Sequence, residues 1–143
     1  MSEPVALNVA KDSLPTITVC IANFNGINVI DECIQSVLQQ TGSIRVEIIV
    51  HDDASTDGSV EYIRLNYPNI RLIESTENVG FCVSNNRMVA VARGEYVLLL
   101  NNDAALLPDA LATLNQTRIN LARPAILSLP QYDYETGKLL DIG

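Results

Sequence analysis

Cationic side chains are scarce in this 143-residue chain: 9 Lys and Arg stand against 17 Asp and Glu, a formal net charge of −8. Nucleic-acid binders present a basic patch and anionic membrane surfaces recruit clustered Lys and Arg, so neither is expected as a partner. Long apolar runs are lacking too. None approaches the ~20 residues of a membrane-spanning helix, and the longest, at 17–22 and 96–100, suit buried strands. Met1-Ser2-Glu3-Pro4 has no basic stretch ahead of an apolar one, which predicts no signal peptide. Histidine occurs once, at His51, and Cys20, Cys33 and Cys82 form no Cys-x-x-Cys pair. A zinc site would run short of ligands. No serine stands in a Gly-x-Ser-x-Gly elbow, which argues against acyl transfer. The cysteines lie in apolar segments and read as buried, reduced thiols of a cytosolic protein. With 48% hydrophobic and 18% charged residues, the chain has the composition of a folded domain.

What is present alternates between two periods. Residues 1–15 read as an N-terminal lead-in. Apolar runs at 17–21, 46–50, 70–73, 96–100 and 125–129 predict strands. Between them, Ile27, Ile30, Ile34, Val37 and Leu38 form a helical stripe. A second helix opens at Asp57-Gly58-Ser59 and stops at Pro68, a third covers 81–93, and a fourth starts at Pro108. Segments 131–134 and 138–140 around Thr136-Gly137 predict a hairpin. Runs apolar on both faces, alternating with helices, indicate an α/β fold with a parallel sheet covered on both sides.

Ligands of open parallel sheets sit at the carboxyl ends of the strands. Three of those ends carry amides and carboxylates: Ala22-Asn23-Phe24-Asn25, His51-Asp52-Asp53-Ala54-Ser55 and Asn101-Asn102-Asp103. A turn needs one such residue, and paired carboxylates repel, so three clusters on one edge point to a shared polar site. In the third helix, Cys82, Asn86, Val89 and Ala90 share a face and are expected to point inward. Gly-x-Gly-x-x-Gly and the P-loop are both absent, so phosphate is not cradled in the usual glycine-rich ways. So acidic a site would repel a bare diphosphate, and a divalent cation on Asp103 removes the conflict.

Four segments resemble family 2 glycosyltransferases over roughly 16–120. Ile17-Thr-Val-Cys-Ile-Ala-Asn-Phe-Asn25 is similar to their opening strand, and Asp52-Asp-Ala-Ser-Thr-Asp-Gly-Ser59 to their Asp-Asp-Gly-Ser-Thr-Asp-Gly-Ser text. Asn78-Val-Gly-Phe-Cys-Val-Ser-Asn-Asn86 resembles their Asn-x-Gly segment, and Gly94-Glu-Tyr-Val-Leu-Leu-Leu-Asn-Asn-Asp103 the strand entering Asp-x-Asp. The resemblance implies a GT-A fold, a Rossmann-like sheet, and inverting transfer from a UDP- or dTDP-linked sugar to a saccharide or lipid-linked acceptor. It places Ala22, Asn23, Phe24 and Asn25 at the nucleoside, with Asp53 accepting the pyrimidine N3–H. Asp52 and Ser55 shape the turn, and Asn86, Arg87 and Asn102 support the nucleotide. Asp103 and Asn101 hold Mn²⁺ or Mg²⁺. Residues 134–143 resemble rhamnosyltransferase-like members.

Three departures stand out: Asn101 replaces the first Asp of Asp-x-Asp, Ala22 the usual Pro, and Ala54 the usual Gly. Inverting transfer needs a carboxylate base, and Asp109, Asp133 and Asp141 read as helix-start, turn or surface groups. Residues 16–143 are therefore expected to be the donor-binding part of a longer enzyme in bacterial polysaccharide or glycoconjugate synthesis. It would be cytoplasmic, at most peripheral to the inner membrane face, and prone to self-association. Two alternatives stay open. A nucleotidyltransferase-like domain would need a basic, glycine-rich loop after the first strand; a non-catalytic nucleotide-sugar-binding module would fit the loss of an aspartate at Asn101.

Overall fold

The computed structural model describes residues 14–142 and the backbone of Ala6 and Leu7. Most of the lead-in expected over 1–15 lies outside the described residues. The elements run β1 (Ala6–Leu7), β2 (Ile17–Asn23), α1 (Ile30–Leu38), β3 (Arg45–Asp52), α2 (Ser59–Asn66) and β4 (Arg71–Glu74). They continue with α3 (Phe81–Val91), β5 (Tyr96–Asn101), α4 (Ala110–Leu121), β6 (Gln131–Tyr132) and β7 (Leu139–Asp141).

Strands β1, β3, β2 and β5 lie side by side in that order, and β4 joins the far half of β3. Every pairing in this five-stranded sheet is parallel. Alternation along the central strands splits the core in two. Ile17, Val19 and Ile21 of β2 and Val46, Ile48 and Val50 of β3 pack with Ile30, Ile34, Val37, Ile63 and Leu111. The opposite face carries Cys20 and Ile49 against Met88 of α3. So α1, α2 and α4 cover one face and α3 the other, the doubly covered α/β arrangement expected.

At the amino end of the sheet, Glu47 is 2% exposed. Its carboxylate accepts from Thr18 Oγ1 at 2.9 Å, from the Arg93 amide at 3.0 Å and from Arg93 Nε at 2.7 Å. Burial pushes this carboxyl up, but the Arg93 and Thr18 hydrogen bonds outweigh it and hold the group below the usual range. Gly94 belongs here for want of space: a Cβ would sit 2.5 Å from the Thr18 nitrogen.

Three expectations are corrected. Segment 125–129 is not a strand. Pro124 and Pro130 bracket it, no strand pairs with it among the described residues, and Ile126 is fully exposed. In α3 the inward residues are Ser84, Asn85 and Met88, so Cys82, Asn86, Val89 and Ala90 face outward. Cys82 is therefore exposed, unlike the buried Cys20 and Cys33. The hairpin forms as read, with Gln131 opposite Asp141 and Gly137 at φ +67°. No helix among the described residues is long and apolar enough to cross a membrane.

Candidate functional site

The parallel register brings the carboxyl ends of β2, β3 and β5 level: Asn23 pairs with Asp52, and Ala22 with Asn101. Asn23 is 1% exposed and ties the three ends together. Its Nδ2 donates to Asp52 Oδ2 at 2.8 Å and to Ser59 Oγ at 3.1 Å, and its Oδ1 accepts from Asn102 Nδ2 at 2.9 Å. Gly26 leaves room for this bridge, since a Cβ there would lie 2.2 Å from Asn23 Oδ1 and 2.4 Å from Asn102 Nδ2. With its amide engaged by the protein, Asn23 acts on the site by placing its neighbours.

Asp52 is buried and holds the next turn. It accepts from the Ser55 amide at 2.9 Å and the Ser55 hydroxyl at 2.7 Å. Ser55 Oγ in turn accepts the Asn25 amide at 2.9 Å, and Asn25 Oδ1 accepts the Thr56 amide at 2.9 Å. Asn25 and Ala54 both stand in left-handed backbone, at φ 48° and 64°. That conformation is uncommon away from glycine. Asp57 accepts the Ile27 amide at 2.8 Å. Burial pushes its carboxyl up, but the Ser59 and Ile27 bonds outweigh it and keep the group below its ordinary range.

Asp53 reaches the opposite way. One oxygen accepts the Val79 amide at 2.7 Å and the other the Gly80 amide at 2.9 Å, just ahead of α3. The carboxylate is 5% exposed. Each oxygen has a second lone pair, so the group can still accept from a ligand N–H. Phe24 is half-exposed beside this turn. Asn86 is exposed on the outer face of α3. Arg87 is exposed as well, but its Nη1 reaches Ser75 Oγ at 3.3 Å and His51 Nε2 at 3.4 Å. His51 is fully buried, and burial together with Arg87 pushes its pKa down against the pull of Asp53 and Asp52. The sequence reading missed His51, Ser59 and Ser75 as partners in the site. The amide-rich Asn78-Val79-Gly80 segment was the available signal for the Asp53 contact.

Asp103 and Asn101 stand exposed at the end of β5. Cys33 lies beneath them: its thiol meets the Asn101 carbonyl at 3.4 Å, and burial and the Asp103 charge push its pKa up to about 12. Among the described residues no three His, Cys, Asp or Glu side chains form a metal-holding group. One exposed carboxylate with an amide oxygen beside it does fit a hard cation whose other ligands are phosphates and water. The structure thus brings together every predicted site residue of β2, β3 and β5. Asn86 alone lies on a helix face turned away from the sheet.

A parallel sheet covered on both faces, with its polar residues gathered at one carboxyl edge, defines an α/β domain that binds its ligand at that edge, as the GT-A fold does. Comparison with known proteins agrees. The family model described as Glycosyl transferase family 2 matches residues 18–136, and this chain belongs to that family. The succinoglycan biosynthesis protein ExoO of Rhizobium meliloti is 33% identical over 103 residues, covering 71% of this chain and 29% of ExoO. TarS of S. aureus, solved with UDP, superposes with a TM-score of 0.67 at 21% identity, over 73% of this chain and 32% of that one. Mannosyltransferase PcManGT of Pyrobaculum calidifontis, solved with GDP-Man and Mn²⁺, gives 0.64 at 27% identity, over 87% and 37%. The chain spans between a tenth and about a third of the length of the curated relatives it matches.

Proposed function

We propose that residues 16–143 form the donor-binding part of an inverting glycosyltransferase acting on a UDP- or dTDP-linked sugar. The observation that carries this reading is the meeting of Asp53, the Asn25–Ser55 turn and Asp103 on one edge of the sheet. Asp53 accepts the N3–H of the base, which suits a carboxylate because uracil and thymine present an imide donor. Phe24, Ala22 and Asn25 line the nucleoside, Asp52 and Ser55 keep the turn in shape, and Arg87 and Asn102 support the nucleotide. Asp103 and Asn101 hold Mn²⁺ or Mg²⁺, which when bound supplies positive charge to the diphosphate. The UDP complex of TarS and the GDP-Man and Mn²⁺ complex of PcManGT support a nucleotide and a metal here. The name of ExoO supports a place in polysaccharide synthesis.

The transferred unit is a hexosyl or rhamnosyl group and the acceptor a saccharide or lipid-linked saccharide, in the cytoplasm or at the inner face of the membrane. Asp109, Asp133 and Asp141 do not suit the base. Asp133 is taken up by the Thr136 amide and hydroxyl, Asp109 stands ahead of α4, and Asp141 lies in the hairpin. This stretch therefore binds donor and transfers sugar poorly, and the edge of β5, unpaired among the described residues, favours self-association. Thermal shifts with UDP, dTDP and GDP sugars, each with and without Mn²⁺, test the reading. Stabilisation by a pyrimidine diphosphate sugar that grows with Mn²⁺ is expected. Preference for GDP overturns the base assignment, and no shift with any of the three overturns the donor site.

A further inference from the structure

Asp103 lies in the segment 102–109, which belongs to no helix or strand between β5 and α4. That segment is nevertheless tied to one side of α1, before Asp103 and after it. The Cys33 thiol donates to the Asn101 carbonyl at 3.4 Å. One turn on, the Ser36 hydroxyl donates to the Cys33 carbonyl at 2.7 Å and accepts the Leu106 amide at 3.0 Å. Gln40, just past the helix, is fully buried. Its Nε2 donates to the Leu107 carbonyl at 2.6 Å and the Ser36 carbonyl at 3.0 Å, and its Oε1 accepts the Leu111 amide at 2.8 Å. The Thr41 amide donates to the Pro108 carbonyl at 2.8 Å. Both N–H groups and the oxygen of the Gln40 amide are thus engaged, and releasing them would strand buried polar groups.

We propose that Ser36 and Gln40 are positioning residues of the donor site: they hold the segment after β5 against α1 and so fix where the Asp103 carboxylate stands. This rests on the donor reading above, in which Asp103 holds the divalent cation, and extends the site to two side chains that touch no ligand. Asp103 is the one carboxylate in Asn101-Asn102-Asp103. The Asn101 amide offers an oxygen but no charge, so the hold on a hard cation depends on the placement of a single carboxylate. That carboxylate is exposed, and its backbone is placed by the anchors on either side. Ahead of it, Asn102 is held by Asn23 and Asn101 by Cys33 and the pairing with β2. Behind it, the nearest anchor is Ser36 at Leu106, and Gln40 secures the next residue. Loss of either lets the segment leave α1 and carry Asp103 away from the strand end.

Calorimetry on the whole chain, with UDP and uridine as probes in Mn²⁺ and in EDTA, tests this. Gln40 also seats the buried Leu111 at the start of α4, so its loss lowers stability in any case. The deciding readout is therefore binding by the folded protein. Ser36→Ala and Gln40→Leu should each weaken UDP in Mn²⁺ about five- to tenfold. Uridine binding, and UDP binding in EDTA, should stay as in the wild type. Ser36→Thr keeps the hydroxyl and should keep the wild-type affinity. Amide exchange should quicken at Leu106 in Ser36→Ala and at Leu111 in Gln40→Leu, while the centres of β2 and β3 stay protected. A full Mn²⁺ gain in either variant, an equal loss for uridine, or Ser36→Thr behaving like Ser36→Ala would overturn the proposal. Should Gln40→Leu not fold, Ser36→Ala and Ser36→Thr decide alone. A wild type that binds UDP no better in Mn²⁺ than in EDTA fails the metal reading itself, and this inference falls with it. A wild-type Mn²⁺ gain that survives Ser36→Ala fails this inference alone.

Discussion

Asp53→Asn probes the turn and the ligand role in one substitution. Asp53 is 5% exposed and gives one oxygen to the Val79 amide at 2.7 Å and the other to the Gly80 amide at 2.9 Å. Asparagine keeps one oxygen. Its NH₂ group replaces the other and faces a backbone N–H, donor against donor. One hydrogen bond to a charged acceptor, ~1.5–3 kcal/mol, is lost, and the survivor falls to a neutral bond of ~1 kcal/mol. Together these changes lower the free energy of opening the segment before α3 by ~2–4 kcal/mol, or roughly 30- to 800-fold in open population. Amide hydrogen exchange at Val79 and Gly80 reads that population directly. Exchange should accelerate there while the centres of β2 and β3 stay protected, and UDP affinity should fall by at least about tenfold. Unchanged exchange at the two amides would refute the tie between Asp53 and α3. Faster exchange with full UDP affinity would leave the tie standing and remove Asp53 from the ligand.

Asp103→Ala should abolish the Mn²⁺ dependence of UDP binding and leave uridine binding intact, whereas Asn101→Asp should raise metal affinity because hard cations favour anionic oxygen; equal UDP affinity in EDTA and Mn²⁺ for the wild type sinks the metal role. Glu47→Gln should cost ~1–2 kcal/mol, discounted because Arg93 is half-exposed, and lower Tm by about 2–8 °C. Because the Glu47 carboxyl is held below its ordinary range, its contribution is present above the ordinary carboxylate pKa and fades as pH falls through the lower folded value. Scanning calorimetry should therefore show the wild type and Glu47→Gln converging in acid, and a constant gap refutes the account. Gly94→Ala should destabilise by ~1–3 kcal/mol in urea unfolding, because its methyl would meet backbone of Ile17 and Thr18 at 2.5–2.8 Å.

Strands β2, β3 and β5 and helix α1 were legible because each is apolar enough to be buried wherever the rest of the chain goes. The strand ends were legible for the opposite reason: Asn, Asp and Ser clusters directly after apolar runs mark an edge. Segment 125–129 misled because an apolar run of strand length says nothing about whether a neighbouring strand exists to pair with it. The facing of α3 misled because its inner surface is built from Ser84, Asn85 and Met88, so small and amide groups stand where apolar ones are expected. The same inversion hid the partners of Arg87, since a lone histidine in a strand carries no periodic signal. The bonds from Asp53 to Val79 and Gly80 span 26 and 27 residues of chain and become visible only with the fold.

Asn25 and Ala54 stand in left-handed backbone, Asn25 tied to Ser55 and Thr56 of the facing turn and Ala54 spanned by the Asp52–Ser55 bonds of its own turn. A surface finished in advance leaves little ordering entropy to be lost on association. It also sets the time course. If these two turns are formed before the nucleotide arrives, its observed association rate should rise in proportion to its concentration, in a single exponential phase. A rate that levels off at high concentration would reveal a slow opening of these turns ahead of binding. Ala54→Gly relaxes one of the two turns and should bring such a plateau within reach of stopped-flow measurement.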